Sequence, residues 1–380
     1  MKIGIDARFY GSLGKGLGRY TQKLIENLEK TDGQNEYFIF LRRENFGDYA
    51  PAKKNFHKVL ADYRWYTLSE QLIMPFVLLK YKLDLAHFMH FNVPVLYPKK
   101  FIVTIHDLIL IHYPTIRGTT LHPFLYRIKF LAYRLAISLA IRRAHRVIAV
   151  SEFTRKDILK NYAPKPKKVE TIFEACDDFC LTSPKKPAEA LKKYGLIDSY
   201  GIIKPYIVYI GNVYPHKNPE SLALGYALAK KNKFPDLRLV FVGGEDYFYQ
   251  RLKSFIREKN IENVIFTGRI NDHELSTVLR SAVLYGRPSF YEGFELPPLE
   301  AMACGVPVIC SNHECAREIL EDSAYYFDPH DPRDIAKTIE KVLTDNELRQ
   351  ALIQKGYAQC KKYSWKRMAQ NTLAIYNKLG

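Results

Sequence analysis

Short apolar runs rich in β-branched residues alternate with longer helical patterns along this chain of 380 residues, and the alternation occurs twice. Lys2–Ala7, Phe38–Leu41, Leu85–Phe88, Phe101–Ile105 and Val147–Val150 read as buried strands. Helices read over Arg19–Leu28 and about Thr120–Arg146. Strands that are apolar on both faces and joined by helices build a parallel, doubly wound sheet. The lysine-rich stretch Ala163–Pro187 carries Pro164, Pro166, Pro184 and Pro187 and reads as a boundary. After it the pattern restarts with Tyr206–Ile210, Leu237–Val242, Val264–Phe266, Val283–Tyr285 and Pro307–Cys310. A chain of this length exceeds one ordinary core. The expectation is an α/β protein of two doubly wound parallel-sheet domains facing across a cleft, with a ligand at the carboxyl ends of both sets of strands. The division expected is 1–175, a linker over 176–204, 205–360, and a helix over 361–380 packing back toward the first domain.

The chemistry concentrates in Pro288–Ile309, PSFYEGFELPPLEAMACGVPVI. It reads as a strand end, a loop, a short helix opened by Pro298 and stopped at Gly305, and another strand. The backbone N–H groups of a helix start receive phosphates readily. Glu292 lies in the preceding loop and Glu300 in the expected first turn. One carboxylate can then reach a sugar while the other holds a ribose diol. The plainer alternatives stay open at this point. An acid in a first turn stabilises the helix dipole by a few tenths to about 1 kcal/mol without any ligand, and a loop glutamate is commonly just solvated.

Glu292 and Glu300 form E-x7-E, and EGFELPPLEAMACGVPVI closely resembles the signature of family 4 (group 1) glycosyltransferases, while the IDAR start, the GLGRY loop and the YPHKN segment look most like bacterial mannosyl- or related transferases of surface polysaccharide assembly. Thr267-Gly268-Arg269-Ile270 with Asp272, Glu274 and Leu275, Ile210-Gly211-Asn212, and His216-Lys217-Asn218 extend the resemblance over nearly the whole chain. It implies the GT-B fold, two Rossmann-like domains, the first for the acceptor and the second for a nucleotide-sugar donor. It also implies that Glu292 contacts the donor sugar and Glu300 the ribose. The amides of Gly293, Phe294, Glu295 and Leu296 meet the sugar or its phosphate, Lys217 neutralises the diphosphate, and Arg269 and Ile270 hold the base. Many relatives carry arginine where this chain has Asn212, which removes one cation. Many have glycine at Glu295, whose side chain can thus influence donor choice.

Gly14-Lys15-Gly16-Leu17-Gly18-Arg19-Tyr20 follows the first strand. It is a plain strand-to-helix turn or a phosphate-approach loop. The resemblance favours Gly16 for a phosphate contact and His106, at the tip of Val103–Ile105, as the acceptor-side catalytic histidine. Asp107 either orients that ring or caps the next turn. A hydrogen-bonded structural role suits His87 and His90 better. The helix around Phe124–Arg146 mixes aromatic and basic side chains. Either it lies on an anionic membrane or its apolar face packs on the sheet.

The net charge of +17, most of it in residues 1–184, fits nucleotide phosphates, anionic lipid or nucleic acid. No nucleic-acid motif accompanies it, so no nucleic-acid partner is expected. The six cysteines form no CxxC pair, and free thiols are the expectation. No secretory signal or spanning segment is read, so a cytoplasmic location follows, peripheral at the inner membrane face if the membrane is bound. No D-x-D occurs, and no metal or other cofactor is expected beyond the nucleotide-sugar co-substrate. The resemblance implies transfer with retention from GDP-mannose, or otherwise from a UDP-sugar, to a glycan or lipid-linked acceptor. The rival readings are a nucleotide-sugar 2-epimerase of the same fold and a non-catalytic basic binding protein.

Overall fold

A computed structural model describes residues 1–114, 122–176 and 196–380 of the chain. Of the expected boundary segment, Pro184, Pro187 and most of the 176–204 linker lie outside the described residues, as does Cys180. The described residues divide into two units, Met1–Glu174 with Ser364–Gly380, and Ala175–Tyr363.

The first unit holds β1 (Lys2–Asp6), β2 (Glu36–Leu41), β3 (Phe56–Leu60), β4 (Leu85–Phe88), β5 (Phe101–Ile105), β6 (Arg146–Ala149) and β7 (Val169–Thr171). They run in the order β3-β2-β1-β4-β5-β6-β7. The second holds β8 (Tyr206–Ile210), β9 (Arg238–Val242), β10 (Val264–Gly268), β11 (Leu284–Arg287), β12 (Val308–Ser311) and β13 (Ala324–Phe327), in the order β10-β9-β8-β11-β12-β13. Every pairing among them is parallel. The two doubly wound parallel sheets expected from the alternation are therefore present. In each, the chain builds outward on one side and then returns to build on the other. The strand order thus reverses between β1 and β4, and again between β8 and β11. Ligands of open α/β sheets bind outside the strands' carboxyl ends at such a point.

Two glycines explain how the helix after β1 is seated. That helix runs Lys15–Thr31, so it starts earlier than expected and takes in Gly16 and Gly18 rather than following a loop. A Cβ on Gly14 would lie 2.2 Å from the Phe9 carbonyl oxygen, and one on Gly18 2.1 Å from that of Gly11. Only glycine permits this approach. Gly16 has no atom within 4 Å of its Cβ position, so it alone of the three leaves an open face.

At the end of β1, Arg8 is fully buried. Its Nε donates to Asp6 at 2.7 Å, and its Nη2 donates to Asp6 at 2.7 Å and to Glu70 at 2.6 Å. Glu70 also accepts from Asn92 Nδ2 at 2.6 Å and from the Tyr66 amide at 2.7 Å. Burial opposes the charge on Arg8, and attraction to Asp6 and Glu70 overrides it and drives the guanidinium pKa upward. The helix Trp365–Leu379 belongs to this unit and packs on Lys15–Thr31. Its Tyr376 hydroxyl pairs with His87 Nδ1 at 2.6 Å, while Thr104 Oγ1 meets His87 Nε2 at 2.9 Å. Burial first, then His106, pushes His87 down to about 3, so it is a neutral core residue.

The helix expected over Thr120–Arg146 runs Pro123–Arg143. Its last turns pack inward through Ile137, Ala140 and Ile141, but Phe124, Leu125, Ile128, Leu131 and Leu135 are exposed. The sheet-packing alternative thus holds for one end only. Cys304 is disulfide-bonded, against the expectation of free thiols throughout, whereas Cys176, Cys310, Cys315 and Cys360 are free.

Candidate active site

β8 ends at Ile210, and the chain leaves it through Gly211 at φ 133°, a conformation that glycine enters without strain. A Cβ on Gly243, past β9, would lie 2.3 Å from the Gly211 carbonyl oxygen, so glycine is required on both sides of this close approach. The turn Pro215–Lys217 follows. Asn218 pins it, donating from Nδ2 to the Pro288 carbonyl at 3.1 Å and the Pro329 carbonyl at 2.8 Å. The Phe290 amide adds a bond to the His216 carbonyl at 2.8 Å. These bonds deliver Lys217 to the carboxyl end of β11, at the reversal of strand order.

There Lys217 meets Glu292. Its Nζ lies 2.5 Å from Glu292 Oε2, and Nη2 of Arg287, the last residue of β11, lies 2.7 Å from Oε1. Glu292 is only 4% exposed, which removes the solvated-loop alternative. Burial alone would raise its pKa; Arg287, Lys217 and His216 outweigh it and hold the carboxyl at about 2. A carboxylate with a depressed pKa adds stability that is complete above its unfolded value near 4.5 and lost as pH falls toward about 2. His216 stays neutral, because burial and then Lys217 push it down to about 3.

Glu295, fully buried, faces the interior. Its Oε2 lies 3.4 Å from Arg287 Nε and its Oε1 3.0 Å from His313 Nε2. Glu295, Cys310 and His313 also have the spacing of a metal site, with ligand atoms within 4.8 Å of one another. The imidazole is set the wrong way for that role. His313 Nδ1 accepts from the Ala316 amide at 3.3 Å, so in the neutral ring the proton sits on Nε2. A metal-bound histidine presents a ring nitrogen lone pair and donates from the other nitrogen. The trio as folded is a buried polar cluster beside Arg287, in which Glu295 Oε1 and Oε2 and His313 Nε2 make no hydrogen bond among the described residues.

The helix after this loop is Leu296–Ala303. It starts before Pro298, the expected opener, and Glu300 lies in its second turn rather than its first. Dipole stabilisation fades within the first turn, which weakens the dipole reading of Glu300. Pro297 and Pro298 have no N–H, so an anion at this end has the amides of residues 293–296 to meet. Asn212 presents a buried Oδ1 that makes no hydrogen bond. Arg269 is exposed and Ile270 half-buried just past β10, at the same end of the sheet as Asn212 and Lys217.

In the first unit, His106 Nδ1 faces Glu174 Oε1 at 2.8 Å, and its Nε2 faces the Met89 carbonyl at 3.1 Å. Those groups orient the ring. Asp107 Oδ1 accepts the Ile109 amide at 3.0 Å and so caps the next turn. Sequence reasoning missed Arg287, His313 and Glu174. A charge at the tip of an apolar strand was the available signal for Arg287; nothing local marked the other two.

Family descriptions match both halves of the chain. "Glycosyl transferases group 1" covers residues 201–359, and "Glycosyltransferase Family 4" covers residues 14–178. The chain is 30% identical over 385 aligned positions to the O-antigen chain mannosyltransferase B of Escherichia coli, with 96% of each chain covered. Among solved structures it resembles the sucrose-phosphate synthase of Thermosynechococcus elongatus, with a TM-score of 0.77 at 20% identity over 100% of this chain and 99% of that one. It also resembles Anabaena HepE in complex with UDP and glucose, with a TM-score of 0.74 at 16% identity over 100% of both chains. At such identities the two structures speak for the GT-B fold alone.

Proposed function

This chain belongs to the group 1, family 4 glycosyltransferases, and we propose that it transfers mannose from GDP-mannose to a glycan or lipid-linked acceptor with retention of configuration. The observation that carries the reading is the buried Lys217–Glu292–Arg287 cluster beside the amides of residues 293–296, at the reversal of the second sheet. It offers a cation for a diphosphate, donors for its oxygens and an ionised carboxylate for sugar hydroxyls. Glu300 takes the ribose diol, and Arg269 and Ile270 border the base. Mannose is favoured over a UDP-linked sugar because the relative covering 96% of the chain is named a mannosyltransferase.

In the step proposed, the bond from the donor anomeric carbon to the diphosphate breaks while the acceptor oxygen bonds to the same face. The acceptor proton passes to the departing phosphate oxygen, so no enzymic nucleophile is required. Lys217 and the 293–296 amides receive the charge that develops on the diphosphate, which is why no metal is invoked. The His106 ring, with Asp107 beside it, serves the acceptor side, and Gly16 gives backbone access to a phosphate. The test is nucleotide binding by the wild type and by Glu300→Ala.

A membrane-surface role rests on a separate observation. Phe124, Leu125, Ile128, Leu131 and Leu135 are exposed along a helix that carries Arg127, Lys129, Arg134, Arg142 and Arg143 and no acid. Leu68, Leu72 and Phe76 are exposed on the helix Leu68–Lys80 of the same unit. Among the described residues no helix is long and apolar enough to cross a membrane. A basic helix with apolar side chains exposed along its first turns is instead drawn to an anionic surface. Sedimentation with vesicles containing anionic phosphatidylglycerol is expected to pull the protein down, and Leu131→Glu with Leu135→Glu to release it. Equal partition with and without anionic vesicles would remove this role.

A further inference from the structure

Two cations grip the carboxylate of Glu292, and they are not equivalent. Lys217 sits on a short turn, its side chain 13% exposed, and its ammonium is a point charge on a flexible stem. Arg287 is rooted in β11 with its side chain 4% exposed, and both of its Nη atoms donate. Nη2 donates to Glu292 at 2.7 Å, Nη1 to the Ile210 carbonyl at 3.4 Å, and Nε lies 3.4 Å from Glu295, an ion-pair approach without a hydrogen bond. The same Nη1 is 3.6 Å from the Cβ position of Gly211, so this charge sits under the loop that carries Asn212.

We propose that Arg287 is the fixed counter-ion of Glu292, a positioning residue that keeps this carboxylate ionised and oriented when Lys217 leaves it for the donor diphosphate. The proposal rests on the donor-site reading given above. A site with Lys217 alone on Glu292 would face a conflict, because meeting the phosphates would strip the sugar-binding carboxylate of its cation in a buried setting, where an unpaired charge is disfavoured. Arg287 removes the conflict. The Ile210 carbonyl and the charge of Glu295 set the guanidinium in the direction that reaches Glu292 Oε1. Asparagine at 212 adds to the demand on Lys217, because no arginine there shares the diphosphate.

The groups that face Glu292 are Lys217 and His216 from the turn, Tyr209 from β8, Arg287 from β11, Cys310 from β12, and Cys315; Glu295 and Tyr285 lie by Arg287. Burial drives His216 down and Tyr209, Tyr285, Cys310 and Cys315 up, so those five do not change charge between pH 4 and 7.

The experiment is the pH profile of kcat at saturating GDP-mannose, which reports the donor-bound enzyme, with the donor KM beside it, in the wild type, Lys217→Met, Arg287→Lys and the double variant Arg287→Met/Glu295→Met, which removes a cation together with its second anion. The double variant is expected to show its acid limb raised by about one pH unit or more, and Arg287→Lys to return it toward the wild type. Lys217→Met is expected to raise the donor KM about tenfold or more with the acid limb unmoved, because Arg287 still holds Glu292. An acid limb that stays put in the folded double variant overturns the proposal. So does one that moves in Lys217→Met, a result that decides the matter even if the double variant does not fold. A folded wild type that binds and turns over no GDP- or UDP-sugar overturns the donor-site reading itself, and this proposal with it.

Discussion

Glu292→Gln lowers the rate of sugar transfer by two to three orders of magnitude, the loss typical when one preorganised electrostatic group is removed from a reacting centre. Glutamine keeps the shape of the side chain but not its charge, so Lys217 and Arg287 lose the anion between them. An amide in that place also offers the donor sugar one acceptor oxygen in place of two. Arg287 retains Glu295 as a partner, which is why the fold survives the change. The measurement is the initial rate with GDP-mannose and a chosen acceptor, beside a melting curve. A rate within threefold of the wild type, in protein that melts normally, would contradict the role given to Glu292.

The largest effect on stability is expected far from that carboxylate, at Arg8. Arg8→Met leaves Asp6 and Glu70 buried with no cation between them; they are 3% and 0% exposed. Removing one partner from a buried ion pair costs about 3–5 kcal/mol. For a unit of this size that lowers its Tm by roughly 6–20 °C. The triple change Asp6→Leu, Arg8→Met and Glu70→Leu removes all three charges together and recovers much of the loss, since apolar replacement of a whole buried network is often neutral. Calorimetry of the three proteins checks this. A Tm for Arg8→Met within 2 °C of the wild type would show that the network is not structural.

The frame of the fold was legible because β4, β5 and β8 are covered on both faces and so read as unbroken apolar runs. Of the four edge strands only β10 was, as Val264–Phe266. Phe56–Leu60 is interrupted by His57 and Lys58, Val169–Thr171 has three residues, and Ala324–Phe327 lies at the margin of its sheet. Such segments bury one face or little length, and their patterns do not stand out. The boundaries of the helix after β11 were misplaced because two adjacent prolines permit either of them to open it, and the helix starts at Leu296, just before the pair. The E-x7-E carboxylates and Lys217 were legible as motif residues. Their electrostatic partners were not, because Arg287, His313, Glu174 and Arg8 act through contacts between segments, which local spacing does not encode.

The central claim, that the second unit holds a nucleotide-sugar diphosphate, is tested most directly by thermal stability with GDP, UDP and ADP and their sugars, with and without EDTA. At a hundredfold excess over its Kd, a bound nucleotide adds roughly 2.7 kcal/mol of stability. The account predicts that GDP and GDP-mannose raise the Tm, that EDTA leaves the rise unchanged, and that Glu300→Ala abolishes it. A folded protein whose Tm responds to none of these nucleotides would contradict it.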